Sequence, residues 1–209
     1  MNDYIPSQLS VSFVSPTQAF NPITGLMEQA IRIRNDGTDS VPAIRVAVTN
    51  LQCRLFNAAG TNSAPFETNG LPFVTHAAEL LPGNSVDLLM EYFVPSGLPF
   101  AISTNQFLLG AVPPPDLTPT NLGTQVFFTR QPLKMPSGAM LVEFATTPGR
   151  DYTVVYSDNV SFSNARVAPP AVPAGASRKQ WIDYGPPKTV SSPASGSRFY
   201  KVYLNSSED

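Results

Sequence analysis

Histidine, cysteine and tryptophan each occur once in 209 residues, as His76, Cys53 and Trp181. A single cysteine excludes an intrachain disulfide and a cysteine-based metal cluster. A single histidine excludes a zinc site built from several converging imidazoles. Charge is scarce too: Asp, Glu, Lys and Arg make up 13% of the chain, against about a quarter in an average soluble protein. The net charge is −2, and Lys and Arg are scattered. Nucleic-acid binding by counterion release needs clustered cations, so that class is set aside. No window approaches the ~20 apolar residues of a membrane-spanning helix. Residues 1–10 carry neither a basic segment nor an apolar one, so no export signal is legible there.

What the chain does have is 42% hydrophobic residues and 22 prolines. Proline removes a helix donor and clashes with the preceding turn, so this composition disfavours long helices and suits short strands with stiff loops. The composition looks secreted. The simplest expectation is a mature or excised fragment, with Met1 added at its start.

Alternation with a period of two marks the strands. Leu9, Val11 and Phe13 share one face, and Ser10 and Ser12 the other. Ile31 and Ile33 alternate with Arg32 and Arg34, and Ile44, Val46 and Val48 with Arg45, Ala47 and Thr49. Val86, Leu88, Met90 and Tyr92 form another such face, and Phe107 to Val112 reads as a further strand. Asn35-Asp36-Gly37-Thr38 and Pro82-Gly83-Asn84 supply the turn chemistry between runs. Ala58 to Gly70 reads as a polar loop. Further on, Gln125–Thr129, Met140–Phe144, Tyr152–Tyr156, Gln180–Asp183 and Phe199–Leu204 read as strands. Ala168–Ser177 and Gly185–Ser197 read as proline- and serine-rich loops, with a short helical turn near Asn159–Asn164.

The run Pro113-Pro114-Pro115-Asp116-Leu117-Thr118-Pro119 favours an extended, stiff segment. Sandwich domains run near 100 residues. The pattern therefore predicts an all-β chain of two antiparallel β-sandwich domains, 1–112 and a smaller 124–209, joined by a Pro-rich linker at 113–123.

Residues Phe20 to Pro95 resemble bacterial immunoglobulin-like and fibronectin-III-like modules of the adhesion or glycosidase-associated type. The resemblance lies in Asn21-Pro22-Ile23-Thr24-Gly25-Leu26, Ile31-Arg32-Ile33-Arg34-Asn35-Asp36-Gly37 and Leu80-Leu81-Pro82-Gly83-Asn84-Ser85-Val86. Gly149-Arg150-Asp151-Tyr152-Thr153-Val154-Val155-Tyr156-Ser157, Trp181-Ile182-Asp183 and Arg198-Phe199-Tyr200-Lys201-Val202 look like a second β module found at the ends of large exported bacterial proteins. Phe162 stands where such modules more typically carry a tryptophan. The resemblance implies two immunoglobulin-like sandwiches and an extracytoplasmic location. It implies no catalytic residue.

The residues themselves carry little chemistry. No Gly-x-Ser-x-Gly elbow presents a serine to His76, and a Cys53/His76 dyad has no special context. Glu28, Glu79, Asp87, Glu91, Glu143, Asp151 and Asp183 read as isolated carboxylates rather than the acid pair glycoside hydrolysis needs. Asp36 and Asp39 read as turn residues before calcium ligands. Lys134, Lys179, Lys188 and Lys201 are the lysines an isopeptide crosslink would use, Lys201 foremost. Trp181 and Tyr184 are the candidate ligand surface if exposed, and Trp181 a core anchor if buried. The expectation is a non-catalytic structural or adhesive module without cofactor. Its partner is a protein or a surface polymer, or a second copy met through edge strands. The alternative is a carbohydrate-binding accessory module of an exported enzyme.

Overall fold

The computed structural model describes residues 8–62, 70–193 and 196–206. It is all-β, with antiparallel sheets. The chain divides into two compact units, Met1–Pro115 and Asp116–Asp209. Among the described residues, no helix is long and apolar enough to cross a membrane.

The first unit contains β1 (Leu9–Phe13), β2 (Ala19–Asn21), β3 (Leu26–Asn35), β4 (Ala43–Val48), β5 (Arg54–Leu55), β6 (Gly60–Asn62), β7 (Leu71–His76), β8 (Ser85–Phe93) and β9 (Phe107–Val112). One sheet runs β1-β3-β8-β5, with β2 also on β3, and the other runs β6-β7-β4-β9. The alternating residues decide which face is buried. Ile31, Ile33, Leu88 and Met90 of one sheet meet Ile44, Val46 and Val74 of the other in one core, all fully buried. Removing that apolar area from water is the main force holding the two sheets together.

The Asn35–Gly37 turn is held by a buried amide. Asn35 Oδ1 accepts from the Gly37 N–H at 3.0 Å, and Asn35 Nδ2 donates to the Asp39 and Leu80 carbonyls at 2.8 and 3.0 Å. Asp36 pairs with Arg34 at 3.0 Å. A side chain that mimics a backbone turn in this way needs no cation. The loop expected over 58–70 contains β6, and 63–69 lie outside the described residues.

The second unit contains β10 (Gln125–Val126), β11 (Leu133–Lys134), β12 (Met140–Ala145), β13 (Asp151–Ser157), β14 (Arg166–Pro173), β15 (Arg178–Asp183) and β16 (Phe199–Leu204). Its sheets run β10-β16-β13-β14 and β11-β12-β15. Val142, Phe144, Tyr152, Val154, Trp181 and Val202 build the core between them. The run 125–129, expected as one strand, crosses between sheets instead. Val126 pairs with Val202 in one sheet, and Phe128 bridges Phe144 in the other.

Two further expectations are corrected. The supposed loop at 168–177 holds most of β14, whose Ala168 and Val172 enter the core. Pro169 and Pro170 fall in the register break between the Tyr152–Val172 and Val154–Ala168 pairs, and β14 has β13 as its one strand partner, so neither proline takes a central ladder position. The segment 159–164 forms turns rather than a helix.

Candidate functional site

The strongest polar cluster lies in the second unit, at the end of β15. Asp183 closes that strand and is fully buried. Oδ1 accepts from the Gly185 N–H at 2.8 Å and from Thr189 Oγ1 at 2.7 Å. Oδ2 accepts from Tyr200 Oη at 2.9 Å and from Arg198 Nη1 at 3.1 Å. A buried carboxylate persists only when it is paired and hydrogen-bonded, and both oxygens here are served twice.

The local sequence explains how the loop reaches its own strand end. Gly185 adopts φ +99°, a region L-residues rarely occupy, so the chain reverses directly after Asp183. A Cβ at Gly185 would also press on the Ser192 backbone at 3.1 Å. The loop then returns Thr189 and Ser191 to the aspartate and to Arg198.

Arg198 is the second pivot, with only 3% of its side chain exposed. Nε donates to Asp158 at 2.9 Å, Nη1 also donates to the Ser191 carbonyl at 2.8 Å, and Nη2 donates to Ser191 Oγ at 2.8 Å. Its guanidinium lies 5.0 Å from the Tyr156 ring centre, an arrangement that adds cation–π attraction. Burial opposes the Arg198 charge, but Asp158 and Asp183 outweigh it and hold the guanidinium protonated more firmly than usual. Burial, followed by the Asp183 charge, pushes the Tyr200 phenol far above its ordinary range. The phenol is therefore a fixed donor and not a proton shuttle.

An open pocket of about 280 Å³ lies beside this cluster, lined by Asp158, Ser191, Ser192, Ser197 and Arg198 among others. The charged groups at its wall already hold one another. Sequence reasoning missed the cluster, because Asp183, Thr189, Arg198 and Tyr200 carry no motif spacing. The Trp181-Ile182-Asp183 and Arg198-Phe199-Tyr200 segments stood out as strands and as parts of a resemblance, without a sign that their polar side chains meet.

Trp181 and Tyr184 are not brought together. Trp181 is 6% exposed, packs into the main core, and meets Tyr200 edge-on at 6.0 Å. Lys188 Nζ lies 5.7 Å from its ring centre and donates to the Ile182 carbonyl at 3.2 Å. Tyr184 packs with Ile182 and Leu141 in a separate small cluster.

Cys53 and His76 belong to opposite ends of the first unit. Cys53 follows the end of β4 and lies beside Tyr92, whereas His76 pairs with Ile44 near the start of β4. Burial pushes the Cys53 thiol up and the His76 imidazole down, each toward its neutral form.

The carboxylates are less isolated than their spacing implies, because strand register pairs them. Glu28 stands opposite Glu91, and Arg32 opposite Asp87 in a two-pronged ion pair at 2.7 and 2.8 Å. Glu91 is 1% exposed, and Glu28 accepts from Asn21 Nδ2 at 2.6 Å. Glu143 accepts from Thr129 at 2.6 Å and Gln180 at 2.8 Å, and these bonds lower its pKa. Among the described residues, no three His, Cys, Asp or Glu side chains group as metal ligands. Lys201 lies 4.2 Å from the Phe162 ring centre.

No protein-family model, curated protein or solved structure matches the chain.

Proposed function

We propose that this chain is a non-catalytic module working outside the cytoplasm, which displays or spaces other domains or joins assemblies at a cell surface. In this reading each unit is an immunoglobulin-like β-sandwich, and the Pro113–Pro119 segment is a stiff spacer. The observation that carries it is the Asp183 cluster. The densest set of polar side chains in the described chain satisfies itself and braces a long loop. Supporting it, β9 and β15 each have a single strand partner, and such edges suit assembly by strand addition.

The location is tested by protease treatment of intact source cells, with the chain followed by antibody. The expected result is cleavage without lysis. Protection until the cells are broken open overturns the reading. Sedimentation at micromolar and higher concentration tests self-association, and a strictly monomeric chain removes the edge-strand route between copies.

A further inference from the structure

An edge strand turns half of its backbone hydrogen-bonding groups away from its own sheet. In the first unit, register identifies those groups on β9. The Thr49 N–H donates to the Gln106 carbonyl at 2.8 Å, one step beyond the Val48–Phe107 pair. Hydrogen-bonded pairs alternate along an antiparallel ladder, so the next ones are Ala47–Leu108, Arg45–Gly110 and Ala43–Val112. Phe107, Leu109 and Ala111 therefore point their N–H and C=O groups away from β4. β4 is the one strand partner of β9, and no other backbone group among the described residues meets these three N–H groups.

The chain defends its other long edges. β14 carries Pro169, Pro170 and Pro173, and its Val167 N–H already donates to the Leu117 carbonyl at 2.8 Å. β15 carries Arg178 and Lys179. β5, β10 and β11 have two residues each, and β2 and β6 have three. Proline, charge and shortness are the usual means of keeping an edge from pairing. β9 has none of them: its six residues, Phe107–Val112, include no charge and no proline, and its ladder to β4 runs without a register shift. β1, which ends the other sheet, is also free of charge and proline. The Phe13 and Phe107 rings meet edge-on at 6.0 Å, so both undefended edges lie on one flank of the unit.

A second copy suits this edge by symmetry. Outward groups on Phe107, Leu109 and Ala111 are arranged evenly about the middle residue. A twofold axis at Leu109 sets Phe107 opposite Ala111 of the copy and Leu109 opposite its own counterpart. Each such pair exchanges both of its hydrogen bonds, and no like charges meet across the axis. A contact that uses the same patch twice closes at a dimer and does not run on into a fibre.

We propose that β9 pairs antiparallel with β9 of a second copy about this axis, which joins two β6-β7-β4-β9 sheets into one. The proposal rests on the reading of the chain as an assembling surface module and names its partner and its strand.

The test is sedimentation of the full chain from micromolar to millimolar concentration, with amide hydrogen exchange followed by NMR over the same range. The wild type reaches twice the monomer mass. The Phe107, Leu109 and Ala111 amides become protected in the dimer and exchange freely on dilution, whereas those of Leu108, Gly110 and Val112 stay protected throughout. Ala111→Pro deletes an outward donor from each copy and spares the β4 ladder, so it weakens the dimer about tenfold or more, the scale of two lost hydrogen bonds. Unchanged amide protection in β3 and β8 verifies that this variant is folded. A monomer at every concentration, a dimer in which the three outward amides stay unprotected, protection that persists on dilution, or a folded Ala111→Pro chain that dimerises like the wild type overturns the proposal. A chain cleaved on intact cells but strictly monomeric refutes this pairing alone. A chain protected from protease until lysis refutes the surface reading, whichever way sedimentation comes out.

Discussion

Replacing Asp183 with alanine removes the acceptor of four hydrogen bonds and leaves buried donors behind, Tyr200 and Arg198 foremost. The Tyr200 hydroxyl loses its acceptor in a site where 5% of the residue is exposed. Arg198, with 3% of its side chain exposed, keeps only Asp158 as a counter-charge. Removing one member of a buried ion pair costs about 3–5 kcal/mol, chiefly because the survivor stays buried. That is a large share of the ~5–15 kcal/mol that stabilises a typical domain. With a urea dependence of about 1–1.5 kcal/mol/M for a small unit, the midpoint falls by at least about 2 M. Trp181 is the only tryptophan and lies in the core of the second unit, so its emission reports that unit and not the first. Tyr200→Phe is the graded comparison. It deletes one hydrogen bond to a charged acceptor and costs about 1.5–3 kcal/mol. A D183A midpoint within about 0.5 M of wild type refutes the claim that this cluster braces the unit.

Gly185→Ala, at φ +99° and against the Ser192 backbone, loses about 1–3 kcal/mol in the same fluorescence assay; a neutral result shows that the loop repacks. Because His76 is the one histidine, its imidazole signal titrates alone in an NMR experiment. Burial lowers its pKa, so the unfolded chain takes up the proton first. Stability is complete above about pH 6.5 and declines as pH falls from there through the folded-state pKa. A midpoint at or above 6.5 contradicts the buried neutral site. Tyr92 is fully buried, and its hydroxyl has no partner among the described residues. Tyr92→Phe is therefore neutral or stabilising by about 1 kcal/mol in thermal melts followed by circular dichroism, and a comparable loss would expose a missed hydrogen bond.

Strand identity was legible wherever alternation was clean. Leu9–Phe13, Phe107–Val112 and Phe199–Leu204 were read with the bounds the structure shows. The reading failed at β14, where three prolines suggested a loop. Proline forbids a central ladder position, but it permits an edge, and one sequence does not say which strands are edges. Trp181 could be weighed as surface or core, but its side was settled only by the β12–β15 pairing and the sheet opposite. The carboxylates followed the same rule: Glu28 and Glu91 are 63 residues apart in the chain and neighbours only through register.

Composition and periodicity by themselves determined an all-β chain and the lack of a long apolar run. Those properties depend on local backbone preference and on counting, which need no partner strand. Tertiary structure alone decided the rest. It set the closure of the loop after Gly185 on Asp183 and the burial of Arg198 between Asp158 and Asp183. Arg198 and Asp158 are 40 residues apart, and the pairing of β16 with β13 is what brings them together.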